Sequence, residues 1–455
     1  MPKPVWSVEQ IAAHLTRDKI VWGAGATIPY AFYAAPAPHL GSTPNFSTFS
    51  GDQRQALAKV FELIADVAQV TFAEVPDNAQ KPGPDNSRIG FYNVNASTVP
   101  FWGAATNFSI EPLADPDRIE GVDVVVNLYR ANVQGGWSPG ESNPRKLMHE
   151  ALHAVGLSHP GEYNGDSALN YENEAEYEQD SHQYTVMSYW AANNTGALHG
   201  TTHFAATPLL HDVAALQLIY GANMATRTGD TVYGFNSTAG RSAYDLNLPT
   251  VRVFSIWDAG GRDTLDLSGF SLPSRIDLTE GGFSDAGGLT KNISIAHGAV
   301  IEDAKGGPGA DSLSGNKAAN RLEGGGGADN IGGGRGVDSL IGGSGGDIFV
   351  FSSLGDSESY SHRSDGKKKA PDKLADFKSG EDRIDVSGID AVWGTASNEA
   401  FTYIGAAAFS GSAGQIRTVQ GPDRVHVFAD VDGNAVADFH IIVMSTTIAA
   451  SDFIL

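Results

Sequence analysis

Five residues between positions 149 and 159 have the types and spacing to hold a metal ion and use it: His149, Glu150, His153, Gly156 and His159. Side chains four apart are neighbours on a helix surface, so His149 and His153 can offer imidazoles to one ion. Glu150 projects beside them, near where a metal-bound water would sit, which suits a general base rather than a ligand. Gly156 accepts positive φ without a Cβ penalty, so the helix can end there and the chain can turn back. His159 then arrives as a third nitrogen. Three protein ligands leave a fourth position for water, the mark of a catalytic rather than a structural zinc site. Chance would give two exposed histidines on a helix far more readily than all five positions together.

The elements that must position these residues are legible around them. Asn143 is the expected N-cap of the histidine helix and Pro144 its first residue, with Leu147, Leu152 and Val155 as apolar anchors. Upstream, helical spacing over 8–14 follows Ser7, and residues 50–53 form a capping box ahead of a helix reaching about residue 68. Strands are expected at 27–33, 70–75, 89–94 and 122–129, with 102–110 as an exposed edge strand. An edge strand can take an extended peptide by backbone hydrogen bonds. Downstream, a polar loop covers 161–182. His199 and His203 mimic the ligand spacing, but no glutamate accompanies them and Gly and Thr are weak helix formers, so they read as loop histidines. A last helix, with Thr207 as N-cap and Pro208 as its first residue, stops at Gly221. Residues 1–222 thus read as an α/β catalytic domain.

From 223 onward aspartate and glycine dominate and helical periodicity vanishes. Residues 306–350 tile into five nonapeptides without gaps. Asp311, Asn320, Asp329, Asp338 and Asp347 hold the sixth position; Leu313, Leu322, Ile331, Leu340 and Phe349 hold the eighth. Six glycine-rich residues make a tight turn with inward carbonyls, and three make a short strand with an apolar centre. Two nonapeptides complete one coil of a parallel β-roll, placing Asp311, Asp329 and Asp347 along one side and Asn320 and Asp338 along the other. Calcium, a hard cation, would lie between stacked turns on carboxylate and carbonyl oxygens. Its expected ligands are Gly306, Gly307, Gly309 and Asp311; Gly324, Gly325, Gly327 and Asp329; Gly333, Gly334, Gly336 and Asp338; and Gly342, Gly343, Gly345 and Asp347. The second unit departs from the pattern at Asn316, Ala318 and Asn320. A flexible linker would keep no such register.

The 455 residues suit two or three domains. A net charge of −23 argues against nucleic acid or an anionic membrane surface and suits cation binding. With no cysteine there is no disulfide and no thiolate ligand. The first residues contain no apolar signal-peptide core, and no run is long enough to span a membrane.

Together the zinc motif, the Met187-Ser188-Tyr189 sequence and the nonapeptides resemble the serralysins, a branch of the metzincin proteases with repeats-in-toxin calcium domains. That resemblance implies an N-terminal α/β protease domain with a mixed sheet, followed by an all-β roll or sandwich over 223–455. It implies one catalytic zinc on His149, His153 and His159, and Met187 beneath the ligands. Tyr189 would ligate the free metal or hydrogen-bond an oxyanion. It also implies calcium on Arg227, Gly229, Thr231, Asp258, Gly260 and Asp263, a second ion on Gly261, Asp263 and Glu302, and Asp372 as a further candidate. Residues 359–370, with three consecutive lysines, read as a solvated insertion. The residues 451–455, an acid before apolar side chains, resemble the address of a bacterial type I secretion channel. The expected protein is thus a secreted, extracellular, monomeric endopeptidase of broad specificity. Its partners would be protein and peptide substrates, the type I secretion machinery and a protein inhibitor. A non-catalytic calcium-dependent adhesin would explain the repeats but not the zinc constellation.

Overall fold

The computed structural model describes residues 2–40, 43, 45–78, 80–98, 101–112, 116–131, 136–163, 170–248, 250–357 and 370–455. Its first part is a twisted mixed sheet flanked by helices. Strands β1 (Ile20–Val21), β2 (Thr27–Phe32), β3 (Thr71–Glu74), β4 (Arg88–Val94), β5 (Gly103–Glu111) and β6 (Asp117–Asn127) run in the order β1-β6-β4-β2-β3, with β5 on β6. Every pairing is parallel except that of β5 with β6. Among the described residues β5 pairs only with β6, so it is the edge strand expected from its position in the chain. β6 is largely buried and ends at Asn127, where a short helix α3 (Leu128–Ala131) begins instead of two more strand residues.

Helices α1 (Val8–Leu15) and α2 (Gly51–Val67) both open with reciprocal capping boxes, from Ser7 with Gln10 and from Ser50 with Gln53. Helix α4 (Ser142–Ala154) carries the histidines; α5 (Tyr171–Glu174) is one turn, and α6 (Leu210–Tyr220) closes this part. Two helix starts differ from the sequence reading. α4 begins earlier than expected, with Glu141 at the cap, because Asn143 is drawn inward. Its amide accepts from Trp102 Nε1 at 3.1 Å and donates to the Ala131 carbonyl at 3.1 Å. Pro144 still sits among the first N–H positions, which lack helical partners anyway. α6 begins late, at Leu210, because Thr207 Oγ1 accepts the Ser255 amide instead of capping. Asp212 takes over by accepting the Leu209 amide at 2.9 Å.

The second part is a flattened coil of short strands. In one sheet, 275–277, 312–314, 330–332, 348–350, 383–385 and 453–454 run parallel in that order. In a second, parallel strands from 232–234 to 439–443 continue into an antiparallel meander over 415–430, and 254–256, 283–284 and 293–295 form a third. Leu313 lies beside Ile331 and Ile331 beside Phe349, while Leu322 lies beside Leu340, each pair two nonapeptides apart. All five eighth-position side chains are buried. Stacking this tight requires glycine: a Cβ on Gly343 would lie 2.1 Å from the Gly325 carbonyl oxygen, and φ there is +101°. Residues 451–455 are built into the roll, with Phe453 paired to Ile384 and the Asp452 carboxylate accepting from Ser379 Oγ and the Gly380 amide. Most of the insertion at 359–370 falls outside the described residues.

The two parts share one continuous apolar core, running from Ile11 through Leu152 and Leu216 to Phe254 and Ile331. Asp66 of α2 pairs with Arg227 at 2.8 Å and Arg241 at 2.9 Å, and the Ala206 amide donates to Val253 O at 2.7 Å. No helix among the described residues is long and apolar enough to cross a membrane.

Truncating an eighth-position side chain leaves a cavity that stacked strands cannot collapse to fill. Leu340→Ala is therefore expected to cost roughly 2–5 kcal/mol, read as a lower urea midpoint for loss of the β signal.

Candidate metal and catalytic site

α4 places His149 and His153 one turn apart, and the chain reverses at Gly156 with φ +103°. A Cβ there would lie 2.2 Å from the Ile20 carbonyl oxygen, so glycine is required by both conformation and space. The return segment is held by α1 and the turn at its end: Ser158 N donates to Leu15 O at 2.7 Å, Ser158 Oγ to Asp18 at 2.6 Å, and Arg17 to His159 O at 2.5 Å. The last carbonyls of α4 find side-chain donors as well. Trp22 Nε1 donates to Ala154 O at 2.8 Å and Tyr220 Oη to Val155 O at 2.7 Å.

The three imidazoles converge. Nε2 of His159 lies 3.1 Å from Nε2 of His149 and 3.0 Å from Nε2 of His153. His149 Nδ1 lies 2.9 Å from the Val186 carbonyl and His153 Nδ1 2.7 Å from the Leu157 carbonyl. A carbonyl only accepts, so each of these two Nδ1 atoms carries the proton and its Nε2 lone pair points inward. Burial, followed by the neighbouring imidazoles, holds His149 well below the usual histidine range. Burial pushes His153 down to about 4 and His159 to about 3. Neutral nitrogens packed this closely fit one small cation: zinc bonds of ~2.0–2.1 Å at tetrahedral angles separate nitrogens by ~3.3 Å.

Glu150 is buried beside them against edge strand β5, where it accepts a hydrogen bond from the Ala105 backbone. Gly103 makes room, since a Cβ there would lie 3.0 Å from Glu150 Cγ. Burial pushes this carboxyl up to about 8, a value that a bound dication would pull down. The Tyr189 ring lies 4.7 Å from that of His159 and 6.0 Å from that of His149. It is 39 % exposed, so it stands at the cleft surface rather than in the core. Met187 is fully buried in the turn below.

That turn depends on a residue the sequence reading missed. Asp212 is completely buried and accepts from Thr185 Oγ1 at 2.5 Å and the Val186 amide at 2.8 Å, besides capping α6. It thereby fixes the carbonyl that orients His149. Asp180 does the same for the Tyr189 loop, accepting from Tyr163 Oη at 3.0 Å and Trp190 Nε1 at 3.0 Å. An isolated Asp inside an apolar run, as in 209–216, was the available signal for Asp212. His199 and His203 flank a turn at 200–202, with His203 Nδ1 on the His199 carbonyl.

In the roll, the sixth-position residues form two stacked rows. The Asp311 amide donates to Asp329 Oδ1, the Asp329 amide to Asp347 and the Asp347 amide to Asp382. The other row runs Asn320, Asp338, Asp372. Asp382 was missed, though Asp382-Arg383-Ile384 repeats the sixth-to-eighth spacing. Asp329 Oδ2, Asp347 Oδ2 and Asp263 Oδ2 are buried without a hydrogen-bond partner. Orphaned carboxylate oxygens beside inward carbonyls fit calcium. The region at 227–263 is assembled likewise: the Thr231 amide donates to Asp263 Oδ1, the Gly260 amide to Asp258 and the Asp263 amide to Glu302. Gly261 packs against the Gly229 carbonyl, while the Arg227 side chain turns away to Asp66. The divergent second turn is closed by its own amides: Asn320 Nδ2 donates to Glu302 O at 2.7 Å and Asn320 Oδ1 accepts the Asn316 amide.

A family model described as "Peptidase M10 serralysin C terminal" matches residues 222–455. Metalloprotease AprA of Pseudomonas entomophila (strain L48) is 40 % identical over 452 residues, covering 96 % of this chain and 88 % of that protein. Serralysin C of Dickeya chrysanthemi is 37 % identical over 473 residues, covering 99 % and 91 %. Serralysin of Proteus mirabilis is 40 % identical over 426 residues, covering 90 % and 84 %.

Burial, reinforced by repulsion from neighbouring carboxylates, pushes Asp329 up to about 7, and burial with the Asp258 charge does the same to Asp263. The folded calcium-free roll then holds protons that the unfolded chain releases near pH ~4, so its stability falls as pH rises from about 4 to 7. Chelated protein is expected to melt at a higher temperature at pH 5 than at pH 8 by circular dichroism, with calcium removing the difference.

Proposed function

The chain belongs to the serralysin family of metalloproteases, and from that premise we propose that it is a secreted, calcium-stabilised zinc endopeptidase acting on proteins with Glu150 as its base. The single observation that carries the catalytic reading is the convergence of three inward Nε2 atoms beside a buried carboxylate. His149, His153 and His159 hold the metal in a metzincin-type domain over 1–222. When bound, zinc supplies Lewis acidity, bringing water towards a pKa of ~7 and polarising a carbonyl.

The remaining work falls to the chain's own groups. Among the described residues β5 pairs only with β6, so beyond the Ala105 amide held by Glu150 its outer edge is open to an extended substrate adding by hydrogen bonds, which favours broad specificity. Glu150, anchored to that strand through Ala105, takes the proton of the attacking water and later passes it to the leaving amine. Tyr189 donates from its phenol to the oxygen on which charge develops. Asp212 and the 185–187 turn keep His149 in the required tautomer.

Residues 223–455 serve as the calcium domain. The stacked rows headed by Asp311 and Asn320, with the cluster of Asp258, Asp263 and Glu302, take several ions. Calcium in the extracellular range of ~10⁻⁴–10⁻³ M would let the chain leave a calcium-poor cytoplasm loosely folded and compact outside. Export by a type I channel, through the address at 451–455, rests on the family resemblance alone.

Glu150→Ala is expected to lower casein hydrolysis by about 10²–10⁴-fold while zinc content by elemental analysis is retained. Hydrolysis at the original rate would overturn the assignment, and a wild type inert towards protein would favour a binding role. Tyr189→Phe is expected to lower kcat by about 10²-fold with little change in KM, measured on a fluorogenic peptide.

A further inference from the structure

A cavity of about 290 Å³ opens beside the histidine cluster, between α4 and the segment 191–205. Its position follows from the helix. Arg145 precedes His149 by one turn, so their side chains share a face. Val186 also lines the cavity, and its carbonyl is the acceptor for His149 Nδ1. The cavity thus shares the Val186 turn with a ligand imidazole and lies along the helix face that carries His149. Ala191 and Ala192 keep one wall small and apolar.

Its charge is unbalanced. Arg145 lies 3.2 Å from His182 Nε2, to which it donates, and its guanidinium carbon lies 5.7 Å from the centre of the Phe204 ring. His182 is held neutral, since burial and then Arg145 push it down to about 3, and it meets the guanidinium only as a neutral acceptor. Arg145 Nε is buried with no hydrogen-bond partner. Among the described residues lining the cavity there is no carboxylate. In a chain of net charge −23, a half-buried cation whose acidic neighbour, Glu150, lies outside the cavity stands out. The adjacent Lys146, whose ammonium lies 5.8 Å from the Trp102 ring centre, adds to the positive potential of the cleft. A guanidinium so placed offers a planar fork of donors to an incoming carboxylate, at charge-assisted strength and in a poorly solvated site.

We propose that this cavity receives the substrate side chain next to the scissile bond, and that Arg145 selects aspartate or glutamate there. The inference rests on the endopeptidase reading and gives an otherwise broad enzyme a preferred cleavage context. Uncharged side chains still enter the apolar part of the cavity but give the guanidinium no carboxylate there, so they are cleaved less efficiently.

The test uses the full-length, metal-loaded protein and peptides that differ only in Glu, Gln or Leu at each position flanking the cleaved bond. For the wild type, kcat/KM for Glu over Gln at one flanking position is expected to be at least about tenfold, the scale of one charge-assisted hydrogen bond. Arg145→Gln should bring that ratio close to one, and Arg145→Lys should retain part of it. A role for Arg145 in packing alone would lower all three peptides together and leave the ratio unchanged, which overturns the proposal. So does a wild-type ratio near one at both flanking positions in an enzyme that cleaves casein. Absence of any Glu150-dependent cleavage by the wild type would overturn the endopeptidase reading, and this inference with it. Circular dichroism of both variants confirms that the ratios come from folded protein.

Discussion

Three imidazole Nε2 atoms are made to face one another, and much of the N-terminal half exists to keep them there. Nε2 atoms only 3.0–3.1 Å apart repel unless a cation lies between them. The arrangement persists because the Nδ1 protons of His149 and His153 are committed to backbone carbonyls, at Val186 and Leu157, and those carbonyls are themselves fixed. Asp212 fixes the first through the 185–187 turn. The reversal at Gly156, clasped by Arg17, Trp22 and Tyr220, fixes the second and delivers His159. The core of α1, α2, α4 and α6 is thus a scaffold for a geometry that is unfavourable until metal arrives.

The roll follows the same physical logic with carboxylates in place of imidazoles. Stacked turns bring carboxylates together in rows and leave oxygens of Asp329 and Asp347 buried without donors. In both halves side chains of one kind are held together by the protein and await a positive charge. The two halves also share one apolar core, so loosening the roll strains the contacts at Thr226, Arg227 and Val253 that brace the catalytic part. Under the proposed calcium role, activity would depend on calcium with no calcium ligand in the active site.

Periodic features were readable in the sequence, and contacts between distant segments were not. The zinc motif lies on one helix turn and the next bend, so i, i+4 spacing and one glycine sufficed to place its residues. The nonapeptides repeat every nine residues, so the pairing of Leu322 with Leu340 followed from counting. Asn143 and Thr207 have ideal capping chemistry, yet Trp102 and Ser255, far away in sequence, claim their side chains. Asp212, Asp180 and Asp382 matter through partners that no local window contains. Nothing in the sequence around Arg145 sets it apart, and only the cavity around it gives it significance.

The central claim, that the inward nitrogens hold a catalytic zinc, is tested most directly by elemental analysis of purified protein alongside His153→Ala. The account predicts about one zinc per chain in the wild type, with zinc and protein hydrolysis lost together in the variant while the calcium content stays the same. A wild type that hydrolyses protein with no bound transition metal, or a variant that keeps both its zinc and its activity, would contradict it.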